Sequence, residues 1–205
     1  MITLYGCPTT RSTRAAWALE EAGAEYAYVR LDLSKGDGRQ PAYLAINPGG
    51  KVPTLVDGDL RLTESAAICT YIGDNFPAAG LTPHPGTAER GRHDQWCAFV
   101  IGELEQPLWT IAKHRFVLPP ERRVPAVIDT AAWEFSVAAQ VLEAGLGDKP
   151  YILGERFSTA DILVAHTLGW ARAHNMLPES PPLSAYIERT LARPALARAR
   201  PREGA

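Results

Sequence analysis

The sequence has 205 residues, of which 46% are hydrophobic and 21% are charged, a composition typical of a soluble globular protein with an ample core. Its net charge of −2 argues against nucleic acid as the main partner, because phosphate binding favours a strongly basic surface. The three cysteines lack metal-ligand spacing and fit a reducing cytoplasm, and no apolar run approaches the roughly 18–20 residues that cross a bilayer.

The N-terminal segments alternate between strand and helix patterns. Met1–Tyr5 is typical of a strand, and Ser12–Ala22 is typical of a helix that Gly23 ends. Tyr26–Leu31 alternates like a second strand. We expect the two strands to run parallel, because a helix separates them in the chain.

A hairpin and a helix follow. Pro53–Val56 and Leu60–Leu62 are predicted strands, and Asp57-Gly58 between them is a strong hairpin dipeptide. Glu64–Asn75 is a predicted helix. Strand-helix-strand, then hairpin, then helix is the element order of a thioredoxin-like α/β domain, which we place at residues 1–77.

Beyond this domain the sequence predicts helices only. Residues 78–86 have the proline and glycine content of a linker, and residues 87–205 are assigned to an all-α domain. Pro107 is expected to kink or split the longest helix, and the basic tail from Arg193 to Arg202 is expected to be solvated and frayed. The predicted helices are Thr87–Phe116, Pro120–Leu146, Ser158–Ala173 and Leu183–Ala192.

Two features of residues 47–65 suit a small peptide that carries a carboxylate. Val52-Pro53 enters a strand, and an X-Pro step there indicates an edge, a bend or a cis bond, which would leave backbone groups free to pair with an extended ligand. Glu64-Ser65 opens a helix, with Thr63 or a neighbour as its N-cap. The free N–H groups of a helix start and its positive dipole end attract carboxylates.

This segment resembles the glutathione-site motif of the cytosolic glutathione transferases, in which a strand-entry Val-(cis)Pro is followed by Glu-Ser at a helix start. The resemblance covers nearly the whole chain and implies the same two-domain architecture. It also implies glutathione as co-substrate, a small hydrophobic electrophile as second substrate, and a homodimer. No metal is expected, because the histidines show no metal-ligand spacing with carboxylates. It further implies glutathione-binding positions at Val52, Pro53, Glu64 and Ser65, with Lys51, Arg39 or Gln40 near the glycyl carboxylate.

A hydroxyl in the loop Gly6–Arg14 is expected to activate the thiol of glutathione. In serine-type members of this family the activating residue lies four positions before the arginine that begins the helix, which implies Thr10 by counting back from Arg14. Ser12, Thr9 or a backbone N–H are the alternatives, and ordinary helix capping would also explain Thr10 or Ser12. A hydroxyl that donates to a thiolate, together with the helix dipole, lowers the pKa of the thiol.

The cysteines allow a second mechanism. Cys7 is interpreted as a half-buried loop residue, with a reactive thiol of a glutathione-dependent reductase as the alternative. Cys69 is predicted to belong to the core, and Cys97 to the core or the substrate pocket. Ser158 and Asp161 form a predicted capping box, in which Asp161 is a folding residue and not an acid catalyst.

The electrophile pocket is expected between the Cys7–Ser12 loop and the long helix, bordered by Cys7, Trp109 and His114. The leading hypothesis is therefore a glutathione transferase. A glutathione-dependent thiol-disulfide reductase or peroxidase is the second hypothesis, and a non-enzymatic binding module with the same fold is the third.

Overall fold

The computed structural model describes residues 1–204. Compact packing divides them into an N-terminal unit, Met1–His84 together with the chain from Leu191 onward, and a helical unit, Pro85–Thr190. The strands are β1 (Ile2–Gly6), β2 (Tyr26–Arg30), β3 (Thr54–Asp57) and β4 (Leu60–Leu62). The α-helices are α1 (Ser12–Ala22), α2 (Pro41–Leu44), α3 (Ser65–Asn75), α4 (Ala88–Phe99), α5 (Glu105–Ala112), α6 (Val127–Leu146), α7 (Thr159–Ala173), α8 (Pro181–Leu191) and α9 (Pro194–Arg202).

The N-terminal unit contains a four-stranded sheet in the order β2-β1-β3-β4. β1 and β2 are parallel, which confirms the prediction, and the other two pairings are antiparallel. Strand β3 begins at Thr54, one residue later than predicted, since Pro53 has no N–H to donate to the sheet. The hairpin turns at Gly58-Asp59, also one residue later, and Gly58 has a φ of 56° that favours glycine.

Helix α1 has the predicted bounds, and Gly23 ends it in the left-handed conformation. Its apolar side is fully buried, with Trp17 and Leu19 at 1% and 0% exposure. Helix α3 begins at Ser65, so that Glu64 precedes the helix instead of opening it. Helices α1 and α3 pack against each other within the N-terminal unit.

The prediction of a frayed C-terminal tail was wrong. Residues 194–202 form α9, which packs against α1 through buried Leu196 and Ala199. Basic side chains in and just before α9 form ion pairs with two acidic residues of α1: Arg193 Nε lies 2.5 Å from a Glu21 oxygen, and Arg198 Nε lies 3.0 Å from a Glu20 oxygen. Positive charges of the tail therefore pair with the negative charges of Glu20 and Glu21.

A buried carboxyl anchors the end of α9. Glu203 is 2% exposed, and its oxygens accept from Thr13 Oγ1 at 2.9 and 3.1 Å. Burial raises the pKa of Glu203 from 4.5 to about 7, although Thr13 and the charge of Arg200 oppose the shift. Because the folded pKa exceeds the unfolded value, the stability contribution is complete below pH 4.5 and is lost as the pH rises through about 7.

We expect the midpoint of thermal unfolding to fall as the pH is raised from 4.5 to about 7, and Glu203→Gln to flatten this dependence. Thermal melts across that range, followed by circular dichroism, measure it. Glu25→Gln is the matched control, because Glu25 is exposed and in the same unit. Parallel pH profiles for wild type and Glu203→Gln would contradict the assignment.

In the helical unit Pro107 does not split the long helix, which leaves a kink as the predicted alternative. The chain stays helical from Ala88 to Val117, with π-helical turns at Val100–Leu104 and Lys113–Val117. The wider turn just before Pro107 accommodates the ring and the missing N–H, so the helix does not split. The next helix, predicted from Pro120, begins only at Val127, because a residue before proline, here Val124, disfavours helical geometry.

The capping box at the start of α7 is confirmed. Asp161 is fully buried, and Ser158 donates to its Oδ2 through both its N–H and its hydroxyl at 2.8 Å. Its Oδ1 accepts from the Ile152 N–H at 2.8 Å and from Tyr186 Oη at 2.7 Å. Asp161 therefore joins α7, α8 and the loop before α7. Cys69 and Cys97 are both buried, as predicted.

Candidate active site

The loop between β1 and α1 carries a network of hydroxyl groups. Thr10 Oγ1 has two acceptors within reach of its proton, the Cys7 carbonyl oxygen at 2.7 Å and Ser12 Oγ at 2.9 Å. The Cys7 N–H donates to Ser12 Oγ at 3.1 Å, and the Ser12 N–H donates to Thr10 Oγ1 at 3.2 Å. Both hydroxyls are thus held by the backbone of their own loop.

Exposure distinguishes the three predicted hydroxyls. Ser12 is fully buried, so it has no surface to offer a ligand, whereas Thr10 is partly exposed. Thr9 is exposed, but its hydroxyl donates to the Pro8 carbonyl at 2.7 Å and its φ is 60°, an uncommon value for a β-branched residue. Accessibility favours Thr10, and Ser12 lies behind it.

The Val52-Pro53 bond is cis, one of the alternatives expected from the sequence. In the antiparallel pairing of β3 with β1, Thr54 lies opposite Tyr5, and the same register puts Pro53 beside Gly6. Pro53 is therefore next to the start of the β1–α1 loop. Within residues 1–204 the Val52 N–H donates no hydrogen bond and the Val52 C=O accepts none. Both groups are therefore available to an extended ligand.

Two buried side chains, which the sequence analysis did not identify, hold this segment. Tyr43 Oη donates to the Lys51 carbonyl oxygen at 2.5 Å and lies 2.8 Å from Thr54 Oγ1. Asn47 Nδ2 donates to the same two oxygens, at 2.8 and 3.0 Å. Both residues thus bracket the Val52-Pro53 step. An asparagine that precedes proline and two glycines is the only local pattern that could have indicated such a turn.

The start of α3 combines an unusual backbone with a buried cation. Glu64 occupies the N-cap position at φ 65° and ψ 111° without a side-chain capping bond, so Thr63 is not the N-cap. Ser65 is the first helical residue, and its Oγ accepts from Arg14 Nη1 at 3.1 Å. Arg14 is fully buried in α1. The helix start, the Ser65 hydroxyl and the guanidinium together form an electropositive site that suits a carboxylate.

The three candidates for the glycyl end occupy different places. A Cβ built on Gly50 would lie 2.9 Å from Arg39 Nη1 and 2.5 Å from the Gly38 carbonyl oxygen, so Arg39 lies beside the turn that leads to Lys51. Lys51 is exposed. Gln40 is exposed at the N-cap of α2 and makes no side-chain capping bond. Arg39 thus lies beside this turn, and Gln40 lies at the start of α2.

The helical unit contains a small cavity of about 20 Å³. Its lining comes from α5, the π-helical turn after it, the end of α7 and the segment that follows. The predicted pocket residues Trp109 and His114 do not line it. His114 Nδ1 instead accepts from the Val124 N–H at 3.0 Å. The lining residues are Leu108, Ile111, Ala112, Arg115, Phe116, Trp170, His174 and Met176.

Across residues 1–204, no helix combines the length and apolar character needed to span a bilayer. In the same residues, no cluster of three or more His, Cys, Asp or Glu side chains has the arrangement of a metal site.

Comparison with known proteins identifies relatives over the whole chain. Residues 1–74 match the model of the glutathione S-transferase N-terminal domain, and residues 138–189 match that of the C-terminal domain. Glutathione S-transferase F10 of Arabidopsis thaliana is 36% identical over 79% of this chain and 77% of its own. Disulfide-bond oxidoreductase YfcG of Escherichia coli is 31% identical over 97% of this chain and 94% of its own.

The solved structures agree with these relatives. A theta class glutathione S-transferase from Xanthomonas axonopodis pv. citri, crystallised with glutathione bound, has a TM-score of 0.78 and 32% identity. The match covers 97% of this chain and 96% of that one. The predicted fold class, a thioredoxin-like domain followed by helices, is confirmed.

Proposed function

This chain belongs to the glutathione S-transferase family, and on that basis we propose that it binds glutathione in the N-terminal unit and transfers it to a small hydrophobic electrophile. The observation that carries the proposal is the sheet register, which places the unpaired backbone of Val52 beside the hydroxyl-rich β1–α1 loop. The Val52 N–H and C=O pair with the cysteinyl part of the tripeptide. Ser65 and Glu64, at the start of α3, hold the γ-glutamyl end.

Arg14 supports this assignment through its charge. Its buried guanidinium donates to Ser65 Oγ, so the hydroxyl proton of Ser65 is free to donate to the γ-glutamyl carboxylate. At the other end of the ligand, Arg39 and Lys51 are the cations beside the turn that leads to Val52, and they suit the glycyl carboxylate.

Thr10 is the proposed activating residue. A thiol with a pKa near ~8.5 is only a few per cent ionised at neutral pH, and the thiolate is the nucleophile. When the thiolate is bound, the Thr10 proton turns from the Cys7 carbonyl to the sulfur, and Ser12 keeps Thr10 in place. The sulfur then forms a bond to the electrophilic carbon, and the leaving group departs with its electron pair.

A second candidate function is glutathione-dependent disulfide reduction, which the similarity to the E. coli disulfide-bond oxidoreductase favours. Cys7 lies in the same loop, half-buried, with its N–H and C=O bonded to Ser12 and Thr10. A thiolate there would attack the glutathione sulfur of a mixed disulfide and displace the substrate sulfur as a thiolate. A second glutathione would then attack the glutathione sulfur bound to Cys7, which releases the Cys7 thiolate and forms glutathione disulfide. The homodimer stays a prediction from the family resemblance, and the cytoplasmic location stays a prediction from the cysteine content.

Titration calorimetry with glutathione, followed by assays of conjugation and of disulfide reduction, tests the proposal. We expect glutathione to bind, conjugation to occur, and both to persist in Cys7→Ser, because the proposed site uses only backbone atoms of Cys7. Loss of disulfide reduction alone in Cys7→Ser would establish the second function beside the first. A folded protein that shows no heat with glutathione would refute both.

A further inference from the structure

The end of the chain lies beside the start of α1, where the proposed thiol-activating loop joins that helix. Glu203 is 2% exposed, and its oxygens lie 2.9 and 3.1 Å from Thr13 Oγ1, which donates to them. Thr13 is the second residue of α1, and its N–H donates to the Thr10 carbonyl oxygen at 3.1 Å. Arg30 of β2 holds the next residue of the tail, because its Nη1 donates to the Gly204 carbonyl oxygen at 2.7 Å. The Glu203 carboxyl is thus fixed two hydrogen bonds away from Thr10.

Tyr28 of β2 connects this carboxyl with the loop through the protein interior. Its hydroxyl oxygen is buried, and a Cβ built on Gly6 would collide with that oxygen and lie 2.8 Å from Ser12 Cβ, so the Tyr28 ring reaches the β1–α1 loop. Burial and, next, the charge of Glu203 raise the pKa of Tyr28, which therefore stays neutral. A neutral ring near both groups leaves little water to screen a charge on Glu203 from the loop.

Nearby cations do not cancel the charge of Glu203. Across residues 1–204 its carboxyl makes no ion pair, and Arg200 is the cation that lowers its pKa. Arg202 pairs with Glu20 at 2.6 Å. The ionisation of Glu203 therefore adds negative charge at the start of α1. The charged and titratable groups around Glu203 and Tyr28 are Tyr26 and Arg30 of β2, Arg200 and Arg202 of α9, Glu20 of α1, and Cys7 of the loop.

The start of α1 would serve two anions, the carboxylate of Glu203 and the thiolate of bound glutathione. A helix start carries about half a positive charge, which lowers the pKa of an acid held there. A carboxylate on Thr13 and a thiolate on Thr10 draw on the same partial charge. Two negative charges at one helix start repel each other, so the ionisation of each group raises the pKa of the other.

We propose that Glu203 is a positioning residue of the thiol site, which holds the start of α1 through Thr13 and whose ionisation opposes that of the glutathione thiol bound beside Thr10. The inference rests on the proposed function, because it concerns the same bound thiol. Glu203 has a pKa of about 7. Thr10 is proposed to lower the pKa of the thiol by about one to two units from ~8.5, so both groups ionise in the same pH range. The lowering of the thiol pKa is therefore greatest while Glu203 is neutral.

Glu203→Gln tests the charge apart from the hydrogen bond, because glutamine keeps an oxygen that accepts from Thr13. We expect the pKa of bound glutathione to fall by about half a unit to one unit, and the pH profile of kcat/KM to move to lower pH by the same amount. A merely structural role would move neither. Glu25→Gln removes an exposed charge beyond the other end of α1 and is expected to leave the thiol pKa unchanged. An unchanged thiol pKa in Glu203→Gln, or an equal shift in Glu25→Gln, would overturn the proposal.

Proton counting on the wild-type protein tests the coupling without a variant. Calorimetry in buffers of different ionisation enthalpy measures the protons released when glutathione binds, and thiolate absorbance measures the thiolate formed. S-methylglutathione, which has no thiol, measures proton exchange unrelated to the sulfur, and this is subtracted. At about pH 7 we expect the protons released to fall short of the thiolate formed by about a quarter to a half of a proton, which Glu203 takes up. Equal numbers would overturn the proposal.

The same titrations separate this inference from the proposed function. Binding heat and conjugation, with no proton deficit and no shift in Glu203→Gln, would refute the coupling and leave the transferase function standing. Absence of heat with glutathione in folded wild type would refute the transferase function, and the coupling with it.

Discussion

Asp161→Ala is expected to lower the free energy of unfolding by about 3–5 kcal/mol. The carboxyl is fully buried and accepts four hydrogen bonds, from the backbone N–H groups of Ile152 and Ser158 and from the hydroxyls of Ser158 and Tyr186. Burial raises the pKa of Asp161, and these bonds act in the opposite direction. Alanine would leave the two N–H groups without acceptors inside the protein, and an unsatisfied buried donor costs about 1–3 kcal/mol.

Urea denaturation followed by far-ultraviolet circular dichroism measures the change, with Thr87→Ala as the control. Thr87 caps α4 of the same unit by accepting from the Arg90 N–H at 3.2 Å, but it is exposed. Its loss is expected to cost about 1 kcal/mol, because water replaces the missing acceptor. Equal costs for the two variants would show that Asp161 acts only as an ordinary cap. Tyr186→Phe, which removes one of the four bonds, should fall between them.

Local patterns predicted the elements that depend on neighbouring residues alone. Ser12–Ala22 has its predicted bounds because an apolar stripe runs up to a glycine that takes a left-handed conformation. The capping box of α7 was equally evident, since Ser158 and Asp161 stand three residues apart before an apolar run. In each case the interaction that ends or begins the helix lies within one turn of the chain.

Misjudged elements depend on partners distant in sequence. Arginines at Arg193, Arg198 and Arg202 suggested solvent, but Glu20 and Glu21, more than 170 positions earlier, neutralise them. Pro194 at the first helical position, followed by apolar residues at Ala195, Leu196 and Ala199, was the overlooked local pattern. A run of arginines can therefore pack against the protein when acidic residues on a neighbouring helix pair with it.

In the candidate site, too, local motifs were easier to find than contacts between residues distant in sequence. Val52-Pro53 and Glu64-Ser65 could be proposed as glutathione contacts because both lie in one short segment that resembles the motif of a known family. The supports of that motif were missed: Asn47 reaches Thr54 across a turn, and Arg14 reaches Ser65 from another helix. No local periodicity indicates that a buried arginine contacts a helix start 51 positions away. Sequence patterns thus lead to candidate ligand contacts more readily than to the residues that hold those candidates in place.

Thr10→Val is expected to reduce kcat/KM for conjugation by about tenfold to hundredfold. Valine has the shape of threonine but no hydroxyl, so the loop keeps its volume and loses the donor. A hydrogen bond to a charged acceptor contributes about 1.5–3 kcal/mol, which corresponds to a rise of about one to two units in the pKa of the bound thiol. The affinity for glutathione should change little, because Val52 and the start of α3 supply most of its proposed contacts.

The pH dependence of the thiolate absorbance of bound glutathione measures that pKa directly, and initial rates measure kcat/KM. Thr10→Ser is the matched control, since it keeps the hydroxyl and should retain most of the activity. Ser12→Ala examines the residue behind it: Ser12 is fully buried and bonds to Thr10 Oγ1 and to the Cys7 N–H, so its removal should disturb Thr10 without deleting the donor. The expected order of activity is therefore wild type, Thr10→Ser, Ser12→Ala and Thr10→Val. If Thr10→Val kept the wild-type thiol pKa while Ser12→Ala lost it, the donor to the sulfur would be Ser12, and the loop would have to open to expose it.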